Sequence, residues 1–197
     1  MNEFIKFIGL DVHKATIAVA VADSEALGGE VRFFGGILNT EDALRKLVKQ
    51  LSKNGAILHF CYEAGCCGFT IHRLLTELGQ HCEVIAPSLI PKKACERVKT
   101  DRRDSIKLAK LLRAGELTAI WVPDMASEAL RDLVRAREDL VHLQRQAKQR
   151  LSAFLLRYGL HYPGESNWTA GHFTWLETVK FEQAVQHIVL QEYLNVI

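Results

Sequence analysis

The sequence contains no CxxC pair. Its five cysteines, Cys61, Cys66, Cys67, Cys82 and Cys95, are odd in number and lack metal-ligand spacing. A disulfide framework and a structural zinc site are therefore not indicated, and reduced, mostly buried thiols are expected. No apolar run approaches the ~20 residues of a membrane span. The opening MNEFIKFIGLDVHK lacks the long apolar stretch and small-residue cleavage site of a secretory signal. These absences predict a cytoplasmic protein with no membrane partner. A glycine-rich dinucleotide loop is also missing: GGEVRFFGG has the wrong spacing and no helix after it. A sugar kinase or actin-like ATPase can also begin with a strand and an Asp, but it needs glycine-rich phosphate loops that are not found here.

What is present is a chain of 197 residues, 48% hydrophobic, long enough for one ordinary core plus an appendage and too apolar for disorder. The net charge of +2 hides an uneven layout. Residues 1–89 carry 8 Lys/Arg against 10 Asp/Glu, net −2. Residues 90–157 carry 16 against 9, net +7, and residues 158–197 carry 1 against 4, net −3. A basic centre of this kind suits a surface that meets a polyanion. A solvated helix face is the plainer alternative.

The short apolar run FIKFIGL (4–10), the β-prone TIAVAVAD (16–23) and VRFFGGIL (31–38) predict three strands joined by tight turns as an antiparallel meander. A helix capped by Asn39 or Thr40 follows, with Leu44, Leu47, Val48 and Leu51 on one face and Gly55 as its stop. Then come a strand at 56–62, a helix at 69–79, a strand at 81–87 and a helix after KTDRRD. The order β-β-β-α-β-α-β predicts a mixed α/β sheet with helices on its faces. Beyond residue 125, Ala126, Leu130, Leu133, Arg137, Leu140, Gln144, Ala147, Leu151 and Phe154 recur in steps of four and three. No glycine or proline interrupts them between Pro123 and Gly159, which predicts one long helix with a coiled-coil seam. Arg137 and Gln144 are polar seam residues able to fix register or partner. A helix packed flat on its own domain is the alternative. YPGESNW reads as a linker, and KFEQAVQHIVLQEYLNVI reads as an amphipathic helix.

Carboxylates fall where an α/β sheet builds sites. Asp11 follows FIGL, Glu63 follows HFCY, and Asp101 and Asp104 open the helix after the fifth strand. At i and i+3, the last two face the same way. Gathered carboxylates repel, and hard divalent cations such as Mg²⁺ or Mn²⁺ offset that repulsion and can drive phosphoryl transfer. Taken singly, each acid has a plainer reading as a turn cap, an exposed strand end, an N-cap or a first-turn acid favoured by the helix dipole. His13 and Lys14 follow Asp11 closely. His13 could be an acid–base or supporting group, but more often such a residue is a strand-edge polar side chain. His59, in a buried-type strand, reads as structural.

GLDVHK, YEAG and KTDRRDS, in this order and spacing, resemble the N-terminal domain of DEDD-type transposases, the "110" group of bacterial insertion sequences, over roughly residues 5–160. The resemblance implies an RNase H-like, RuvC-like fold with Asp11, Glu63, Asp101 and Asp104 as a catalytic, metal-binding tetrad. It implies movement of an insertion sequence through cleavage and exchange of DNA strands, with Mg²⁺ or Mn²⁺ as cofactor and a structured guide RNA choosing the DNA. Lys92, Lys93, Arg97, Lys99, Arg102 and Arg103 become candidates for contact with nucleic-acid backbone. The expected organisation is a catalytic domain at 1–122, a long dimerising helix at 123–160, and linker and helices at 161–197. These last would lead to a further domain that carries a serine in this family and has no match here. Two other functions fit the same residues. One is a non-catalytic module that binds nucleic acid and forms a homo-oligomer through the 125–157 helix; the other is a stand-alone junction nuclease of the same fold.

Overall fold

The computed structural model describes residues 4–24, 31–53, 55–91 and 100–197. They fall into two compact units, Met1–Val122 and Pro123–Ile197. The first unit runs β1 (Ile5–Val12), β2 (Thr16–Asp23), β3 (Arg32–Leu38), α1 (Glu41–Leu51), β4 (Ile57–Glu63), α2 (Thr70–Glu77), β5 (His81–Ile85) and α3 (Asp101–Ala114). The five strands form one sheet in the order β3-β2-β1-β4-β5. β1, β2 and β3 make the antiparallel meander, while β4 and β5 add in parallel to the other edge of β1. The mixed α/β expectation holds, and β1 lies at the centre.

Two boundaries differ from the sequence reading, each for a local reason. β1 continues through Asp11 to Val12 because the hairpin keeps pairing, Asp11 opposite Ala18 and Val12 opposite Ile17. The cap of α3 is Thr100, whose Oγ1 accepts from the Arg103 N–H at 3.4 Å, so Asp101 is the first helical residue and not the cap.

Side chains alternate across a strand, and here the two faces differ in size. Ile8, Leu10, Ile17, Val19, Val21, Leu58, Phe60 and Tyr62 point to one side, where they pack with Leu44, Leu47 and Leu51 of α1 and Ile71 and Leu75 of α2. The other side of β1 and β2 presents Gly9, Ala18, Ala20 and Ala22, with Ala20 and Ala22 joining Ala109 of α3. TIAVAVAD thus encodes a bulky face and a shallow one. On the shallow face α3 comes very close: a Cβ on Gly9 would sit 2.3 Å from the Ser105 carbonyl oxygen and 2.5 Å from the Ala109 nitrogen. Both are backbone atoms, so nothing can rotate away. Ser105 is fully buried and its hydroxyl donates to the Arg102 carbonyl at 3.1 Å. On the α1 side, Lys6 is buried and donates to the Leu51 carbonyl at 2.6 Å, placing a cation at the carboxyl end of that helix.

The second unit contains α4 (Met125–Arg157), α5 (Ala170–Thr178) and α6 (Ala184–Val196). α4 has 33 residues, which makes it about 50 Å long. Asp124 caps it by accepting from the Ser127 N–H at 2.6 Å. Only the later part of the seam is covered: Leu151, Phe154 and Leu155 pack with Leu176, Val179 and Leu190 from the segment read as linker and helices. The earlier seam residues Leu130, Leu133 and Leu140 are exposed. Gln144, read as a register residue, donates to the Ile197 carbonyl at 2.8 Å, within its own unit. α5 is not marked in the sequence because AGHFTWLET mixes polar residues (His172, Thr174, Glu177, Thr178) with apolar ones and shows no one-sided helical stripe. Among the described residues no helix is long and apolar enough to cross a membrane.

Gly9→Val should lower the unfolding free energy by about 3 kcal/mol, since backbone must separate from backbone. Gly36→Ala, which meets nothing within 4 Å, should change it by less than about 0.5 kcal/mol. Urea unfolding of the two variants checks both.

Candidate metal centre

The site is built where β1 ends against the start of α3. Asp11 is the penultimate residue of β1, and its chain turns back at once into β2. That turn is held by the His13 N–H donating to the Thr16 carbonyl, the Asn39 N–H donating to the Ala15 carbonyl and the Asn39 side-chain amide donating to the His13 carbonyl, each at 2.9 Å. The imidazole of His13 therefore leaves a well-anchored backbone. Its Nε2 lies 3.2 Å from Asp11 Oδ2 and 3.4 Å from Asp101 Oδ1. Asp11, His13 and Asp101 each offer one donor atom, all within 4.8 Å of one another.

The close seat of α3 on Gly9 brings this about. With Ser105 and Leu108 against β1, the first turn of the helix overhangs the strand end two residues further on. Asp104 shares that turn with Asp101. Burial pushes the Asp11 carboxyl above the usual carboxylate range; His13 pulls it down, while the charges of Asp104 and Asp101 push it up. Asp104 thus acts on Asp11 electrostatically, although it stands outside the compact donor trio.

Glu63 closes β4. The parallel register pairs Gly9 with Cys61 and Leu10 with Tyr62. One step on, Glu63 is level with Asp11, and alternation puts both on the side that α3 covers. Glu63 is exposed and does not belong to the trio. Of the four expected acids, Asp11 and Asp101 meet directly through His13, Asp104 is felt by Asp11, and Glu63 ends the neighbouring strand. His13, which the sequence leaves open between an acid–base or supporting group and a strand-edge polar residue, lies between two carboxylates. The available signal was its spacing: positions i and i+2 at a strand end share a face.

Among the expected backbone contacts, Arg102 and Arg103 are exposed in the first turn of α3. The Arg102 guanidinium lies over the Phe33 ring at 5.5 Å. Lys92, Lys93, Arg97 and Lys99 lie outside the described residues, as does Cys95. Cys61 and Cys82 are buried, which pushes both thiols up, that of Cys82 to about 12. Neither is a nucleophile at neutral pH. His59 is packed edge-on to Phe7 and stacked on His81, as its structural reading implies.

The donor chemistry fits a divalent cation. Carboxylate oxygens suit Mg²⁺ and Mn²⁺, and imidazole suits transition ions. The result is an α/β domain with clustered acids at the carboxyl end of its central strand. A transposase family profile, that of the DEDD transposases of the IS110 type, matches residues 8–160. The chain belongs to this family. It is 47% identical over 191 residues to a putative transposase, y4qE, of Sinorhizobium fredii, covering 97% of this chain and 49% of that protein. It is 34% identical over 191 residues to the transposase for insertion sequence element IS1533 of Leptospira borgpetersenii, covering 96% and 55%. The chain therefore spans about half the length of the curated relatives it matches. Among solved structures it is similar to the large terminase nuclease of thermophilic phage G20c, at 18% identity and a TM-score of 0.36, over 59% of this chain and 58% of that one.

The raised pKa of Asp11 fixes a sign. The folded protein holds this proton more tightly than the unfolded chain. The resulting stability is present below the ordinary carboxylate pKa of 3.8 and is lost as pH rises through the folded value. At pH 7 an ionised Asp11 is a cost. With a chelator present, Asp11→Asn should raise the melting temperature at pH 7, and the gain should vanish near pH 3. Scanning calorimetry at both pH values checks it.

Proposed function

We propose that the Met1–Val122 unit is the RNase H-like, RuvC-like catalytic domain of an insertion-sequence transposase that cuts and rejoins DNA strands. Asp11, Glu63, Asp101 and Asp104 hold Mg²⁺ or Mn²⁺, which supplies the Lewis acidity that activates a nucleophile and steadies a leaving oxygen. The observation that carries this reading is the meeting of Asp11 and Asp101, from a strand and a helix far apart in sequence, with Asp104 near enough to perturb Asp11. The β-β-β-α-β-α-β order with β1 at its centre is the further support.

The protein's own groups have distinct tasks. A bound cation offsets the repulsion that the charges of Asp104 and Asp101 exert on Asp11, which ties the arrangement of the acids to metal binding. Arg102 and Arg103 grip phosphates beside the acids. Lys92, Lys93, Arg97 and Lys99 extend that grip to the DNA or to a structured guide RNA, without reading its sequence. The exposed Leu130, Leu133 and Leu140 of α4, beside a groove of about 420 Å³ that Arg137, Gln144 and Val196 also line, are the surface through which two copies pair.

A second reading, a binding and assembly module without catalysis, is favoured by the exposed Leu130, Leu133 and Leu140 of α4 and the exposed Arg102 and Arg103 of α3. One experiment separates the two. Millimolar Mg²⁺ or Mn²⁺ should raise the melting temperature of the wild type by several degrees. Asp11→Ala and Asp104→Ala should abolish the rise, and neither variant should nick branched DNA. A wild type that binds DNA but shows no metal-dependent shift and no nicking would favour the assembly module.

A further inference from the structure

We propose that His13 is a direct ligand of the cation held by Asp11 and Asp101, and that its nitrogen biases the site toward Mn²⁺ over Mg²⁺. The inference rests on the metal-site reading above and adds to it a donor outside the four acids. Two donors each about 2.1 Å from one octahedral ion, at right angles, stand about 3.0 Å apart. Nε2 of His13 is 3.2 Å from Asp11 Oδ2 and 3.4 Å from Asp101 Oδ1, so small side-chain movements bring the three atoms to one ion.

The local structure favours this use. Both backbone hydrogen-bonding groups of His13 are engaged, the N–H with Thr16 and the carbonyl with Asn39. The backbone is thereby set while the imidazole stays half-exposed, its Nε2 facing only the carboxylates of Asp11 and Asp101 among the contacts described above. Asp11 and His13 leave the same side of the strand end, and Asp101 approaches from α3. The three donors thus come from two elements held together by the Gly9–Ser105 contact. Ligation needs Nε2 without a proton, which places the ring proton on Nδ1.

A nitrogen donor discriminates between metals. Both ions favour oxygen ligands, but Mg²⁺ holds its waters and its octahedral oxygen set more strictly, whereas Mn²⁺, a first-row transition ion, tolerates a nitrogen donor more readily. The site with His13 then binds Mn²⁺ more tightly than the acids alone would, and gains little for Mg²⁺.

The test is Mn²⁺ titration with pulsed electron paramagnetic resonance on the full chain, beside calorimetric titration with Mg²⁺. Wild type should show Mn²⁺ coupled to a ¹⁴N nucleus. His13→Ala should lose that coupling and bind Mn²⁺ about 10-fold or more weakly, with Mg²⁺ affinity changed by less than about threefold. The backbone bonds of the turn do not involve the ring, so the variant should fold; an unchanged circular dichroism spectrum verifies this. Asp11→Ala should lose both metals. Tight Mn²⁺ binding without nitrogen coupling, or an unchanged metal preference in His13→Ala, overturns the role of His13 and leaves the acids standing. A wild type that binds neither metal overturns the metal site itself and this inference with it.

Discussion

The contact on which the site depends is backbone against backbone: α3 resting on β1 at Gly9. No side chain separates the Ser105 carbonyl and the Ala109 nitrogen from the strand. A helix seated this closely has little freedom to slide or tilt, because any motion opens a void or a clash in a close-packed interior. The neighbouring strand maintains the seat with Ala18, Ala20 and Ala22, small enough to let the helix lie flat. The helix carries two of the acids in its first turn and the strand carries another at its end. The spacing of their carboxylates is therefore inherited from packing among residues outside the acidic cluster.

Electrostatics and packing pull in opposite directions at this point. Packing brings Asp101 and Asp104 toward a half-buried Asp11, and burial together with like charge raises the energy of its ionised form. His13 offsets part of this without a metal. The sheet tolerates the arrangement because it sits at a strand end and not in the core, so solvent screens the outer members. Arg102 and Arg103 in the same helical turn keep the local field from becoming uniformly negative, and Phe33 gives one of them a surface to rest on.

Much of the first unit was legible because its signals are short-range. Short apolar or β-prone runs bounded by turns marked β1, β2 and β3, and the stripe Leu44, Leu47, Val48, Leu51 marked α1. The three acidic motifs were legible as an ordered set and pointed to the family to which the chain belongs. What the pattern concealed was depth. TIAVAVAD reads as a strand either way, and only the structure shows that its alanines and Gly9 form a seat for α3. The same gap left His13 open between a supporting role and a plain strand-edge one, since a polar residue at a strand edge acquires meaning only when a helix from a distant part of the chain arrives beside it. In the second unit, the heptad seam predicted α4 but not its coverage. Leu151 and Phe154 are claimed by α5 and α6, and α5 lacks the one-sided pattern that periodicity detects.

The sheet order has a consequence for assembly of the protein in time. β1 is made first, yet it becomes the central strand, and its parallel neighbour β4 and covering helix α3 are translated much later. Contacts so distant in sequence form slowly, because a long stretch of chain must be closed before they repay its lost freedom. Until α3 has left the ribosome, a nascent chain has Asp11 and Glu63 but no opposing helix. The grouping of Asp11 with His13 and Asp101 is therefore completed late, when α3 closes on the sheet.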